Sequence, residues 1–106
     1  MGNFGLLVRF TLRDGMGDAF DQLVKETETG IREREPGTLV YACHHVKDAP
    51  NERVFFEIYE DRAAFDAHEQ EQHTLRFLRE RTQYIEKTEV DWLTSFAGKY
   101  PQGGPE

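Results

Sequence analysis

The stretch FFEIYEDRAAFDAHEQEQH, residues 55–73, decides the fold, because a strand ends and a helix begins within it. Its first residues, together with Val54, alternate with the period of two that gives a strand two different faces. Val54, Phe56 and Ile58 make one of these faces fully apolar, and we expect that face to lie in the core. Asp61 then supplies a side chain that can cap the first-turn amides of a helix.

Two histidines follow the start of this helix. His68 shares a helix face with Ala64 and Phe65, so we expect it to be partly buried beside aromatic side chains. His73 lies five positions later and would point about 140° away on an unbroken helix of about 3.6 residues per turn. The wholly polar residues 69–72 between them permit a bend that would bring both imidazoles to one cavity. The two histidines are therefore the candidate site.

The rest of the chain predicts further strands and helices around this stretch. Apolar residues recur at helical spacing before the Pro36-Gly37 break and again after His73. The predicted order is strand, helix, strand, strand, helix, strand, with a turn at 48–52. Two crossover helices on one side of a sheet give an α+β, ferredoxin-like split βαββαβ fold, in which a four-stranded antiparallel sheet carries helices on one face. The remaining predicted elements are the strands Phe4–Leu12, Thr38–Val46 and Ile85–Phe96 and the helix Met16–Arg34.

The other face of such a sheet is left uncovered. An apolar patch of that size is too large to leave in water, and two sheets packed face to face would bury it. We therefore expect a homodimer through the open sheet face. The residues expected to line that face are Leu7, Tyr41, Cys43, Phe55 and Tyr59.

Composition limits the class of protein. A length of 106 residues predicts one domain, residues 1–99, followed by a flexible tail at 100–106. The 13 basic and 20 acidic residues give a net charge of −7, which argues against nucleic-acid and anionic-membrane partners. Cys43 is the only cysteine and no apolar run approaches the roughly 20 residues that cross a bilayer, so we expect a cytoplasmic protein without disulfides.

Several short motifs, taken together, resemble the antibiotic biosynthesis monooxygenase family of dimeric α+β barrels. The resemblance extends over about residues 4 to 98. The motifs are Arg9-Phe10-Thr11 with Gly15, Glu35-Pro36-Gly37-x-Leu39, Phe56-Glu57-x-Tyr59-x-Asp61, Ala63-Ala64-Phe65-x-x-His68, and His73.

The resemblance implies an enzyme, a monooxygenase (oxidoreductase) that oxidises an electron-rich quinol, anthrone or polyketide-type phenol with dioxygen, without cofactor or metal. Such a substrate, once deprotonated, is itself the electron donor, so the protein needs only to exclude water, hold the ring and take a proton. An imidazole suits that proton transfer at neutral pH. On this interpretation His68 or His73 is the base and Arg76 stabilises the developing anion. The expected cavity walls are Phe20, Phe56, Phe65, Phe77 and Trp92.

Two alternatives of the same fold stay open. The haem-degrading branch uses an Asn on the first strand with a Trp and a His in the second helical region. Val8 stands at the Asn position and His68 at about the Trp position, although haem binding through His73 remains an alternative. The other alternative is a non-catalytic binding or stress-response module, which we would expect if Phe65 and Phe77 filled the cavity.

Other chemically suggestive residues have simpler explanations. Cys43-His44-His45 lacks a further ligand at zinc-like spacing, so we predict no metal site. Glu57, within an apolar strand, is expected to form a salt bridge with Arg9 or another basic group. The charged run 32–35 is expected to be a solvated helix end, and His68 has the alternative structural role of a ring capped by a backbone carbonyl.

Overall fold

A computed structural model describes residues 3–100. Its strands and helices follow the predicted order, with the second helical region divided into two helices and a 3-10 turn, Arg81–Gln83. From residue 101 onward, the predicted tail lies outside the described residues. The elements are β1 Phe4–Leu12, α1 Gly17–Arg34, β2 Thr38–Val46, β3 Ala49–Tyr59, α2 Arg62–Gln70, α3 Gln72–Glu80 and β4 Ile85–Thr94.

The four strands form one antiparallel sheet in the order β2-β3-β1-β4, which confirms the predicted α+β ferredoxin-like fold. The central strand β1 alternates as expected: Leu6, Val8 and Phe10 are buried, whereas Arg9 is exposed. Helix α1 packs its apolar stripe, which includes Phe20, onto the buried face. No helix within residues 3–100 has the length and apolarity required to span a membrane.

The hairpin between β2 and β3 is tighter than expected. The predicted turn at 48–52 is wrong, because β3 already begins at Ala49, which pairs with Val46. Only Lys47 and Asp48 connect the two strands. Asp48 has a φ of 63°, in the left-handed region, which Asp tolerates better than most residues.

The predicted orientation of β3 is also wrong. Phe55 pairs with Val8 across the sheet and faces the helices, where it is buried. Phe56 pairs with Leu7 and therefore lies on the open face. Both faces of this strand carry large apolar side chains. The alternation therefore predicted a strand correctly, but it did not show which face meets the helices.

The same register corrects three other residues that were expected on the open face. Tyr59 is buried on the helix side of β3. Tyr41 pairs with Glu57, and Cys43 pairs with Phe55, so β2 presents both residues on that side as well. Of the five residues expected on the open face, only Leu7 is there.

Candidate functional site

A cavity of about 150 Å³ lies between the helix side of the sheet and helices α2 and α3. Its walls are mainly apolar, and a few polar side chains converge on it. This combination is typical of small-molecule sites. The apolar lining includes Leu6, Val8, Phe10, Phe55, Phe65, Phe77, Leu78, Val90 and Trp92, and the polar lining includes Tyr41, Glu57, His68, Glu69, Thr74 and Arg81.

Helix α2 positions His68 at this cavity. The carboxylate of Asp61 accepts a hydrogen bond from the backbone amide of Ala64 at 2.8 Å, which confirms the predicted N-cap. Seven residues on from this cap, His68 is buried against the sheet, and its ring centroid lies 5.2 Å from that of Tyr59. The expectation of a partly buried imidazole beside aromatic side chains is confirmed.

The carboxylate of Glu35, which was expected in a family motif but not at the site, connects the two histidines. Oε1 of Glu35 lies 2.8 Å from Nδ1 of His68, and Oε2 of the same carboxylate is hydrogen-bonded to Nε2 of His73. The hydroxyl of Thr38 donates a further hydrogen bond to Oε1 at 2.7 Å. The side chain of Glu35 is only 5% exposed, so the expectation of a solvated helix end is wrong at this position.

The hydrogen bonds decide the charge of Glu35. Burial alone would raise the pKa of this carboxyl, but the hydrogen bonds from His68, Thr38 and His73 outweigh burial and hold the pKa below its ordinary value. Glu35 is therefore an acceptor at neutral pH, and Nδ1 of His68 carries the hydrogen that it accepts. In the neutral imidazole this leaves Nε2 unprotonated, and Nε2 is the ring nitrogen available to the cavity that His68 lines.

His73 and Arg76 do not line the cavity. The break between α2 and α3 does bring His73 to the same carboxylate as His68, but its ring packs against Gly30 of α1. Its side chain is 12% exposed. Arg76 is 46% exposed and forms ion pairs with Glu26 and Glu80, each at 2.8 Å. The geometry thus gives only one of the three predicted catalytic residues, His68, access to the cavity.

The five predicted wall residues divide in the same way. Phe65, Phe77 and Trp92 line the cavity. Phe20 instead belongs to the buried face of α1 and lies in the aromatic core, and Phe56 faces the opposite side of the sheet. Phe56 was expected in the cavity wall because the predicted orientation of β3 was wrong.

Glu57 is a polar wall residue whose environment differs from the expected one. Arg9, its expected partner, pairs with Glu52 at 2.5 Å instead. The side chain of Tyr59 donates a hydrogen bond to Oε1 of Glu57 at 2.6 Å. Burial raises the pKa of Glu57 more than this hydrogen bond lowers it, which favours the neutral carboxyl.

Arg81 is the cation at the cavity wall. Its guanidinium lies over two aromatic rings, 5.7 Å from the centroid of Phe10 and 5.8 Å from that of Phe77. Burial lowers its pKa, although an arginine stays charged at neutral pH. Arg81, and not Arg76, is therefore the arginine that lines the cavity.

The Cys43-His44-His45 run does not form a common site. Nε2 of His45 lies 2.8 Å from a carboxylate oxygen of Asp21, and Nδ1 of His44 lies 3.0 Å from the carbonyl oxygen of Val54. Cys43 is a free, exposed cysteine. Each side chain thus has its own environment.

His73, the residue expected to bind haem, does not line this cavity. Nε2 of His73, the nitrogen that would bind the iron, is hydrogen-bonded to Glu35. We therefore derive no chemistry through haem.

Comparison with known proteins supports the fold independently. The sequence profile of the family described as antibiotic biosynthesis monooxygenase matches residues 3–80. Among solved structures, PA3566 from Pseudomonas aeruginosa is 24% identical, with a TM-score of 0.83 over 92% of this chain and 97% of that one. Rv0793 from Mycobacterium tuberculosis is 25% identical, with a TM-score of 0.82 over 91% and 97% of the two chains. No curated protein matches the sequence.

Proposed function

Because this chain belongs to the antibiotic biosynthesis monooxygenase family, we propose that it is a cofactor-independent monooxygenase that oxidises an electron-rich aromatic compound with dioxygen. The substrate class is a quinol, an anthrone or a polyketide-type phenol. One observation carries the proposal: the buried carboxylate of Glu35 fixes the imidazole of His68 at the wall of an aromatic cavity. A carboxylate that orients an imidazole is a recurrent arrangement for proton abstraction.

The first step is removal of a proton from the substrate. Nε2 of His68 takes the proton of a ring hydroxyl or of an acidic ring carbon, and the resulting imidazolium is stabilised by the negative charge of Glu35. The pair is buried, so its electrostatic interaction is screened less than it would be at the surface.

The second step is electron transfer from the substrate anion to dioxygen. One oxygen atom forms a bond to a ring carbon, the O–O bond breaks, and the other oxygen leaves as water. Both protons of that water come from the substrate, one from the ring carbon that is oxidised and one returned by the imidazolium of His68, and the substrate supplies all four electrons that dioxygen needs. The guanidinium of Arg81 lines the cavity, and in this proposal it stabilises negative charge that develops on the ring. The protein contributes positioning, a base and a cation.

The aromatic walls hold the ring and exclude water. Phe65 and Phe77 form the inner part of the lining, and Trp92, which is 61% exposed, stands at the mouth. The ring of Trp92 meets that of Phe65 edge-on, with centroids 5.7 Å apart. Phe65 and Phe77 line the space rather than fill it, which favours a ligand-binding function over a module without a cavity.

A homodimer through the open sheet face is part of the proposal. Leu7 is 36% exposed there, and the half-buried Phe56 lies beside it in the sheet. Packing against a second copy would remove both side chains from water. Sedimentation velocity of the wild type and of Leu7→Asp tests this: we expect a dimer that the aspartate weakens, and a monomeric wild type would overturn it.

Dissolved-oxygen consumption tests the enzymatic activity. The purified, metal-stripped protein is mixed with a panel of hydroquinones and anthrones, and uptake is compared with autoxidation without protein. We expect uptake well above that background, unchanged by chelators. Background rates across the whole panel would overturn the proposal, and uptake abolished by chelators would overturn its cofactor independence.

A further inference from the structure

A second acid-base group lies in the cavity and has no part in the proton abstraction described above. Glu57 projects from the centre of the sheet into the cavity, and it is only 6% exposed. Among the described residues, its carboxyl has no basic group within salt-bridge distance. A buried carboxyl without a cation is expensive to retain, so a role for it beyond packing is expected.

Tyr59 holds this carboxyl in place. The phenol of Tyr59 is fully buried and donates to Oε1 of Glu57 at 2.6 Å. The ring of Tyr59 is itself fixed between Phe65 and His68, with centroid distances of 5.3 Å and 5.2 Å. With Oε1 engaged, Oε2 is the oxygen of Glu57 that is available to a ligand.

We propose that Glu57 is a specificity-determining residue that donates a hydrogen bond from Oε2 to an oxygen substituent of the bound ring. The cavity would then select rings that carry a second oxygen besides the one whose proton His68 takes. This inference rests on the proposed function, because it assumes that the cavity binds an aromatic ring.

The electrostatic surroundings agree with a donor. Burial raises the pKa of Glu57 more than the hydrogen bond from Tyr59 and the charge of His68 lower it, and the negative charges of Glu69 and Glu35 add to the rise. The neutral carboxyl is a hydrogen-bond donor, whereas the carboxylate can only accept. A neutral carboxylic acid in an apolar site can stabilise a developing oxyanion. Glu57 and His68 thus offer a ligand a donor and an acceptor.

Trp92 provides a direct test by binding. It is the only tryptophan of the chain and it lines the cavity, so its fluorescence reports a ring that enters. The probes are hydroquinone and phenol, which differ by one hydroxyl, titrated without oxygen. We expect the wild type to prefer hydroquinone by roughly threefold to tenfold, as one hydrogen bond would give. In Glu57→Met, which has no donor, the two affinities should become equal through loss of hydroquinone affinity.

A second variant separates recognition from folding. Glu57→Gln keeps an N–H donor and an oxygen that can accept from Tyr59, so it should retain the preference for hydroquinone. Loss of the preference in a folded Gln variant would overturn the inference, as would a preference that persists in Glu57→Met. Equal binding of both probes to the wild type would overturn the role of Glu57 but not the proposed function. Failure of both probes to bind would overturn the proposed function as well.

Discussion

Oε1 of Glu35 lies 2.8 Å from Nδ1 of His68, although the two residues are 33 positions apart in the chain. Glu35 stands where the chain leaves α1, and His68 stands on α2. Their hydrogen bond therefore joins the two helical regions that cover the sheet, and it sets the orientation of the imidazole at the cavity. A single contact thus serves both the fold and the proposed chemistry.

Replacing Glu35 by Gln should destabilise the fold and slow turnover. The amide keeps the size of the side chain but removes the charge that accepts hydrogen bonds from two imidazoles. We expect a loss of about 2 kcal/mol in the free energy of unfolding, measured with urea, and a roughly hundredfold loss of turnover. Glu33→Gln, at an exposed position of the same helix, is the matched control and should change neither quantity. Wild-type stability in Glu35→Gln would contradict this assignment.

The contribution of Glu35 to the free energy of unfolding should depend on pH. Its pKa in the folded protein lies below the ordinary value of 4.5, so its contribution is present above that pH and is lost as the pH falls through the folded pKa. Urea denaturation at about pH 7 and about pH 3.5 measures this. We expect the difference in unfolding free energy between wild type and Glu35→Gln to shrink at the lower pH. A difference that grows in acid would show that the sign is wrong.

The contribution of Glu57 to stability should change with pH in the opposite direction to that of Glu35. Its pKa is raised above 4.5, so the protonated form stabilises the fold below that pH, and this contribution is lost as the pH rises through the folded pKa. Glu57→Gln cannot ionise, and it should therefore gain stability relative to the wild type between pH 4.5 and neutrality. The gain is about 1.4 kcal/mol for each unit by which the pKa is raised. Parallel stability curves for the two proteins would show that Glu57 ionises normally.

Gly30 tests the packing around His73. An alanine usually stabilises a helix interior by about 1 kcal/mol relative to glycine. Here a Cβ would lie 2.5 Å from the His73 ring, and it would also meet Cβ of His73, so the histidine must move away from Glu35. We expect Gly30→Ala to lower the free energy of unfolding by roughly 1 to 3 kcal/mol. Glu33→Ala, exposed on the same helix, should not. A more stable Gly30→Ala protein would contradict the observed packing.

Local pattern predicted much of the fold because the features concerned are local. The alternation of β1, the amphipathic stripe of α1 and the cap at Asp61 each depend on residues close together in the chain. The sense of β3 was missed because Phe55 and Phe56 are equally apolar, and only pairing with β1 decides which of them meets the helices. The alternation of side chains is set within one strand, whereas the choice of the face that meets the helices depends on how the strand pairs in the sheet.

The site was predicted only in part for a related reason. His68 and three aromatic wall residues were identified, since an imidazole on an aromatic helix face is visible in the sequence. Glu35 and Arg81 were missed because their roles arise from contacts between distant elements. In the sequence, Glu35 belongs to a charged run that is typical of a solvated helix end, and the motif that begins with it indicated only a family resemblance.

The oxygen-uptake rates of His68→Gln and His73→Gln, compared on a substrate that the wild type turns over, test the central claim most directly. His68 lines the cavity and His73 does not, although both bind the same carboxylate. We predict that His68→Gln loses roughly a hundredfold or more of the rate, as expected for loss of a general base. His73→Gln should stay within roughly tenfold of the wild type. A His68→Gln protein that turns over at the wild-type rate would contradict the account.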